Sequence, residues 1–274
     1  MSRVFIETEL EGIATFWRIW RRDGVSLGFT SHDRDLEFSG IRHRATPGML
    51  PSAIRRSRDL ELDSAEVEGA LSHDAIFPQD LDDGRYDGAR IAIGIVDWET
   101  LDHAVLYRGT IGEISHGGAA FEAELMSDKA ALAIDPVPRT SPTCRAVFCG
   151  RECGVSRALV THELVAQVVD FASNSVSFDG SYDAALLVGG RLSWVDGPQA
   201  GLAVQVNGSI DSALILDREL HPALSAGHRA VAIEGCDHTL ETCHSRFANQ
   251  ANFRGEPFLP GNDLLVRYPT SSSV

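Results

Sequence analysis

Arg90-Ile91-Ala92-Ile93-Gly94-Ile95-Val96 sets the reading of the whole chain. The run alternates with the two-residue period of a strand, and no helical stripe can be drawn through it. The same alternation recurs in Thr15-Phe16-Trp17-Arg18-Ile19-Trp20 and in Ala119-Ala120-Phe121-Glu122-Ala123-Glu124-Leu125. Further along come Leu164-Val165-Ala166-Gln167-Val168-Val169, Ala230-Val231-Ala232-Ile233-Glu234 and Leu264-Leu265-Val266-Arg267-Tyr268. Turn signals punctuate these runs: Arg22-Asp23-Gly24, Phe38-Ser39-Gly40, Asp87-Gly88, Gly117-Gly118, Phe178-Asp179-Gly180 and Gly189-Gly190. Short strands at this spacing predict a mainly β chain of barrel- or sandwich-like domains. Short helices are expected near Met49–Arg56, Asp128–Ile134 and Thr239–Phe247.

Asp135-Pro136-Val137-Pro138-Arg139-Thr140-Ser141-Pro142 interrupts the pattern. Prolines at this density make a stiff connector that cannot join a sheet ladder. The expected division is a β domain over 1–138 and a second β domain over 139–274. All five cysteines fall in the second.

The chain has 274 residues, 43% of them apolar, enough for a packed core. Its net charge of −15, from 39 acidic against 24 basic residues, disfavours binding to phosphate backbones. Arg18, Arg21 and Arg22, or Arg55, Arg56 and Arg58, remain as local basic clusters, read as ordinary solvated or interface arginines. Met1-Ser2-Arg3-Val4 leads into strand-like sequence without an apolar signal core, and no stretch reaches the roughly 18 apolar residues of a membrane span. Synthesis and folding in a cytoplasm are expected, and the Ser-rich end from Thr270 to Val274 reads as a frayed tail.

Cys144, Cys149 and Cys153 form one group, Cys236 and Cys243 another, with about eighty residues between the groups. In a reducing compartment such cysteines favour metal binding or free thiols over disulfides. Four thiolates make a zinc or iron–sulfur site, and one that joined the two groups would close a long loop. The spacings are not those of paired C-x2-C knuckles, and wider spacing suits a cluster. Scattered buried thiols remain the alternative. Cys144, Cys153, Cys236 and Cys243 are the expected ligands, with Cys149 a packed spare thiol and a ligand swap at Cys149 open.

Other constellations read more simply as structure. His32 and Asp33 are adjacent, and strand neighbours point to opposite faces, so a turn or subunit contact is favoured over a catalytic pair. Thr161-His162-Glu163 lacks the second histidine of a zinc hydrolase, because Ala166 stands there. A cysteine hydrolase would pair Cys144 or Cys149 with His162 or His244, yet no helical pattern follows either cysteine. Trp17 and Trp20 fall on opposite strand faces; with Trp98 and Trp194 they read as core or interface residues. Gly117-Gly118 and Gly189-Gly190 read as hairpin turns.

The second half resembles the conserved domain of phage tail-tip and baseplate-hub proteins of the BR0599/phiJL001 type, shared with gene transfer agents. The matching residues are Ser141-Pro142-Thr143-Cys144-Arg145, Cys153-Gly154-Val155, Thr161-His162-Glu163, Gly235-Cys236-Asp237 and the long run from Cys243 to Asp263. The first half is similar to the partner domain of that family through Leu27-Gly28-Phe29-Thr30-Ser31-His32-Asp33-Arg34-Asp35-Leu36, Gly84-Arg85-Tyr86-Asp87-Gly88-Ala89, Val96-Asp97-Trp98 and Gly109-Thr110-Ile111-Gly112-Glu113. Cys149 is extra to the family pattern, and Glu256 replaces an expected bulky apolar residue, which suggests a more exposed turn. The resemblance implies a non-enzymatic hub at the tail tip of a phage-like particle. It would close the tube and link it to a terminal fibre or tip. A structural iron–sulfur cluster, 4Fe-4S with zinc as the alternative, would sit on Cys144, Cys153, Cys236 and Cys243. The implied assembly is a homotrimer meeting a distal tail protein ring and a terminal fibre protein, with a tape-measure protein and a tail peptidase as further neighbours.

Overall fold

The computed structural model describes residues 12–45, 50–51, 64–70, 76–117, 120–133, 137–180 and 182–258. The chain divides into two compact units, Met1–Pro136 and Val137–Val274. Both are mainly β, as the alternation predicts.

The first unit contains β1 (Ile13–Trp20), β2 (Ser26–Thr30), β3 (Leu36–Phe38), β4 (Ile41–Ala45), β5 (Leu50–Pro51), β6 (Ser64–Ala70), α1 (Pro78–Asp82), β7 (Arg90–Asp97), β8 (His103–Gly117) and β9 (Ala120–Ser127), then a 3-10 turn at Asp128–Ala133. Its strands form one sheet in the order β3-β4-β2-β1-β7-β8-β9-β6-β5. Neighbours are antiparallel except β2 and β4, which run parallel with Gly28 opposite His43. Both faces of the central strands are covered. Trp17, paired with Phe29 on one side and Ile93 on the other, heads a buried row that continues to Tyr107. Phe16, one residue earlier, packs on the opposite face with Leu36, Phe38 and Val96. The β7 run is nearly all apolar because it is buried on both sides, each such side chain contributing about 1.5–3 kcal/mol of transfer free energy. Gly94 is the gap in that run: a Cβ there would meet the Ala104 carbonyl oxygen and stand 2.5 Å from Phe16 Cζ.

Arg18 intrudes on the Phe16 face. Its guanidinium lies 4.9 Å from the ring centroids of both Phe16 and Phe38, and its Nε donates to His43 Nε2 at 3.0 Å. His43 Nδ1 donates in turn to the Leu36 carbonyl. Burial, then the Arg18 charge, push the His43 pKa down to about 4, so the ring is neutral at pH 7 and able to accept.

The second unit contains a 3-10 turn at Arg157–Val160, β10 (Thr161–Asp170), β11 (Ser175–Asp179), α2 (Ala184–Leu187), β12 (Arg191–Trp194), β13 (Ala203–Ile210), β14 (Ala213–Leu216), β15 (Arg229–Ile233), α3 (Leu240–Ser245) and a 3-10 turn at Gln250–Asn252. Its strands close into a barrel, β10-β11-β14-β13-β12-β15. Alternation follows directly from closure. Leu164 and Ala166 face inward while Glu163, Val165 and Gln167 face out, and Val176, Leu192, Val206 and Leu214 fill the interior. Closing the sheet gives the first and last strands partners and so removes their edges.

Several expectations need adjustment. Gly189-Gly190 is not a hairpin turn: Gly189, at φ +74, joins α2 to β12. Gly190 is required because a Cβ would run into the Ile233 carbonyl oxygen of the neighbouring strand. Gly117 does lie at a β8–β9 hairpin, paired with Ala120. The helix expected over Met49–Arg56 lies mostly outside the described residues, and its described part, Leu50–Pro51, is β5. The strand expected at Leu264–Tyr268, the Ser-rich end and Arg55, Arg56 and Arg58 also lie outside them. Short elements α1 and α2 carried no periodicity long enough to be read. Among the described residues no helix is long and apolar enough to cross a membrane.

Filling the Gly94 gap tests the two-faced sheet. Gly94→Val should cost about 1–3 kcal/mol or more through overpacking against Phe16, exceeding the ~0.5–1.5 kcal/mol of Ile93→Val. Urea midpoints of the two variants check the ranking, and the reverse order would contradict it.

Candidate functional site

The cysteines lie on segments outside the barrel strands, held by hydrogen bonds that no sheet supplies. Cys144 N donates to the His238 carbonyl at 2.8 Å, and His238 Nδ1 donates back to the Cys144 carbonyl at 3.0 Å. On its other side the segment meets the C-terminal run: Arg145 N donates to Arg254 O at 3.0 Å, and Glu256 N to Ser141 O at 2.7 Å. Segment 141–145 is thus threaded between 236–239 and 254–256. Gly255 permits the crossing, since a Cβ there would sit 2.6 Å from the Thr143 carbonyl oxygen.

Glu256 locks this crossing. Its carboxylate receives two guanidinium hydrogen bonds from Arg145, at 2.6 and 2.8 Å, and one from Ser141 N at 2.9 Å. The Arg145 bonds, then the backbone donor, hold its pKa at about 2. The residue that breaks the expected apolar pattern therefore does more than expose a turn: it ties residues 141 and 145 to residue 256.

Cys153 closes a tight loop in which Gly150 N donates to Val147 O and Gly154 N to Gly150 O. Cys149 turns the chain there in the left-handed region, at φ +57. Cys243 rides on α3, whose start is fastened by Asp237 and Thr239. Asp237 accepts from Thr239 N, Thr239 Oγ1 and Thr242 Oγ1, and Thr239 Oγ1 accepts from Thr242 N. Beyond α3, Ala248 at φ +47 turns the chain back, and Asn249 N donates to the Cys243 carbonyl at 2.9 Å. Non-glycine residues in this region are uncommon; Cys149, His238 and Ala248 place three of them in the cysteine-bearing loops.

These loops converge. Cys144, Cys153, Cys236 and Cys243 all line one pocket, with Phe148 and Phe247 among its apolar walls and about 330 Å³ of atom-free space including its open mouth. Cys149 is not among the lining residues. Among the described residues no three His, Cys, Asp or Glu side chains are grouped to hold a metal ion. Burial pushes the Cys236 and Cys243 thiols up, as do their cysteine neighbours, while the His238 backbone N–H pulls Cys236 down. Cys149 is also raised, by burial first and then by Cys153. Two further sulfurs face N–H donors: Cys144 Sγ lies 3.3 Å from Arg254 N, and Cys153 Sγ lies 3.8 Å from Asn249 Nδ2. Donors at sulfur stabilise negative charge there, which is what a ligating thiolate carries.

The remaining sequence candidates have other partners. His162 Nε2 lies 2.9 Å from Glu234, whose other oxygen takes Arg246 Nη2 at 2.7 Å. His244 Nδ1 meets Gln250 Oε1. His32 and Asp33 correct an expectation: residues 31–34 form bends, not strand, so the side chains do meet, with Nδ1 3.2 Å from the carboxylate. The same Nδ1 accepts from Arg34 N at 3.1 Å, and the ring packs 4.9 Å from Trp98, which makes a local turn. Trp17 and Trp194 are buried core residues.

Sequence reasoning assigned no role to Asn249, His238 or the Arg145–Glu256 pair. Asn249, Arg145 and Glu256 were signalled only by membership of the Cys243–Asp263 run and the 141–145 motif, and His238 only by following Gly235-Cys236-Asp237.

Residues 5–156 match the family model described as "Baseplate hub protein, N-terminal attachment domain", and residues 186–263 match "Phage conserved hypothetical protein BR0599". Nine chains of solved structures match. One, from "Virion of native gene transfer agent (GTA) particle", is 34% identical, covers 99% of this chain and 96% of its own, and superimposes with a TM-score of 0.83. No curated protein matches. Two β units with these relatives define a structural protein of a phage-like tail. The chain belongs to the phage baseplate hub family, whose attachment-domain model alone spans more than half of it.

Glu256 sets a pH dependence. Its folded pKa is depressed, so its stabilisation is complete above the ordinary carboxylate pKa of ~4.3 and is lost as pH falls toward about 2. The melting temperature of Glu256→Gln should lie below wild type at pH 7. That gap should shrink progressively between pH 4.3 and 2, and a gap unchanged at pH 2 would contradict the clamp.

Proposed function

We propose that this chain is the hub at the distal end of the tail, closing the tube and joining it to a terminal fibre or tip, with a structural iron–sulfur cluster in its second unit. The observation that carries the cluster is the convergence of Cys144, Cys153, Cys236 and Cys243, from segments about eighty residues apart, on one pocket. The donor set fits: four thiols, no carboxylate in the lining, and N–H groups facing Cys144, Cys153 and Cys236. Four thiols are the number that a zinc ion or a 4Fe-4S cluster takes, and the wide spacing within each cysteine group, unlike paired C-x2-C knuckles, favours the cluster. The bound cluster supplies a cross-link. The residues supply everything else: Asp237 and Thr239 fix α3, and His238 holds Cys144.

The proposed role is binding, not catalysis. Neither His162 nor His244, the histidines that a cysteine hydrolase would use, is among the residues lining the cysteine pocket. We place the hub as a homotrimer against a distal tail protein ring and a terminal fibre protein, with the tape-measure protein and a tail peptidase as neighbours. Heterologous contacts among three copies close a ring.

Cys236→Ser or Cys243→Ser should remove iron and sulfide and leave the second unit protease-labile, because structural metal binding contributes folding free energy directly. Cys149→Ser should keep full metal content. Absorption spectra and metal analysis of protein purified without oxygen check both, and unchanged iron in the first two variants would sink the assignment.

Imaging of the intact particle checks the assembly. Three copies at the tube's end are expected; six copies, or a position along the shaft, would overturn the hub.

A further inference from the structure

We infer that Asn249 is a positioning residue that fastens the two groups of thiols together and sets the electrostatic environment of Cys153; this rests on the cluster reading above. Asn249 touches both groups. Its backbone N–H donates to the Cys243 carbonyl at 2.9 Å, which anchors it to the second group. Its side-chain amide reaches the first: Nδ2 donates to the Cys153 carbonyl at 2.7 Å and lies 3.8 Å from Cys153 Sγ.

The amide is held in this orientation. Asn252 Nδ2 donates to Asn249 Oδ1 at 2.7 Å, so the oxygen end is engaged and the NH2 end must face Cys153. Gly154 leaves room for that pair, since a Cβ there would stand 3.2 Å from Asn252 Nδ2. Gly154 also takes φ +74, which excludes most side chains independently. The 3-10 turn at Gln250–Asn252 sets the spacing between the two asparagines, with Asn252 N donating to Asn249 O at 3.0 Å.

Two consequences separate this role from plain packing. An N–H donor beside a ligating sulfur stabilises the more negative, reduced state of a bound cluster, so it raises the reduction potential. Partners that orient ligands also slow metal loss, and removing one typically weakens metal affinity about 10- to 100-fold.

The test uses the full chain purified without oxygen, as wild type, Asn249→Leu, Asn249→Asp and Asn252→Ala. Iron and sulfide content, a redox titration followed by absorption, and iron transfer to a colorimetric chelator are measured on each. Asn249→Leu, similar in size and uncharged but without a donor, should show a more negative potential and release iron about tenfold faster or more. Asn249→Asp should shift further in the same direction. Asn252→Ala, which touches no sulfur, should show an intermediate shift; it remains informative if the Asn249 variants fail to fold. A folded Asn249→Leu protein that retains no cluster would also support the fastening role. Wild-type potential and release rate in a fully loaded Asn249→Leu protein would overturn the role of Asn249 and leave the cluster standing. Wild-type protein without iron and sulfide would overturn the cluster itself, and Asn249's role with it.

Discussion

Segment 141–145 belongs to no strand, yet its backbone groups must be paired, and the way they are paired organises everything around the thiols. Cys144 exchanges hydrogen bonds with His238, Arg145 reaches Arg254, and Ser141 both gives to Glu256 and receives from it. Each of these contacts joins two stretches of chain far apart in sequence, so together they fix the path of both. The thiols are brought together as a by-product of this accounting. Two groups of thiols about eighty residues apart end on one pocket where these contacts bring their segments together.

The barrel provides the frame for that arrangement. β15 ends at Ile233, and Cys236 follows within three residues. Val160, just before β10, accepts from Glu234 N at 3.0 Å, which holds the exit of one strand against the entry of the other. The Cys153 loop and the Cys236 loop therefore leave the barrel from adjoining strands, β10 and β15, and their meeting is decided by strand order. Arg246 strengthens the same corner by joining Glu234 to the Leu186 carbonyl, and the arginine and His162 hold the Glu234 carboxyl below its usual range despite burial.

The first unit solves a different problem. A sheet covered on both faces has no polar side at its centre, so β7 is nearly all apolar and relies on glycine where the faces crowd. Arg18 is the exception that this arrangement tolerates: two aromatic faces and a neutral imidazole receive the guanidinium where no carboxylate is paired with it among the described residues. Burial lowers the Arg18 pKa, with Arg108 acting in the same direction. In a chain with 39 acidic residues, the choice of rings and histidine over a carboxylate keeps the charge from requiring a second buried ion.

By itself the sequence determined the class of local structure: β1, β7, β9, β10 and β15 all fall where alternation placed them, because a two-residue period admits no other regular element. It also identified the cysteines by type and grouping, and α3 by its Thr239 start. It did not determine that Gly189-Gly190 serves a helix-to-strand joint, that His32 and Asp33 share a bend, or that the run after Cys243 is a set of supports. Those depend on contacts between residues far apart in the chain: Gly190 on the Ile233 carbonyl, Glu256 on Arg145, Asn249 on Cys153. Local pattern carries the period of an element, but which sheet is open and which closes, and hence which loops become neighbours, is set only when strands pair across long stretches of sequence.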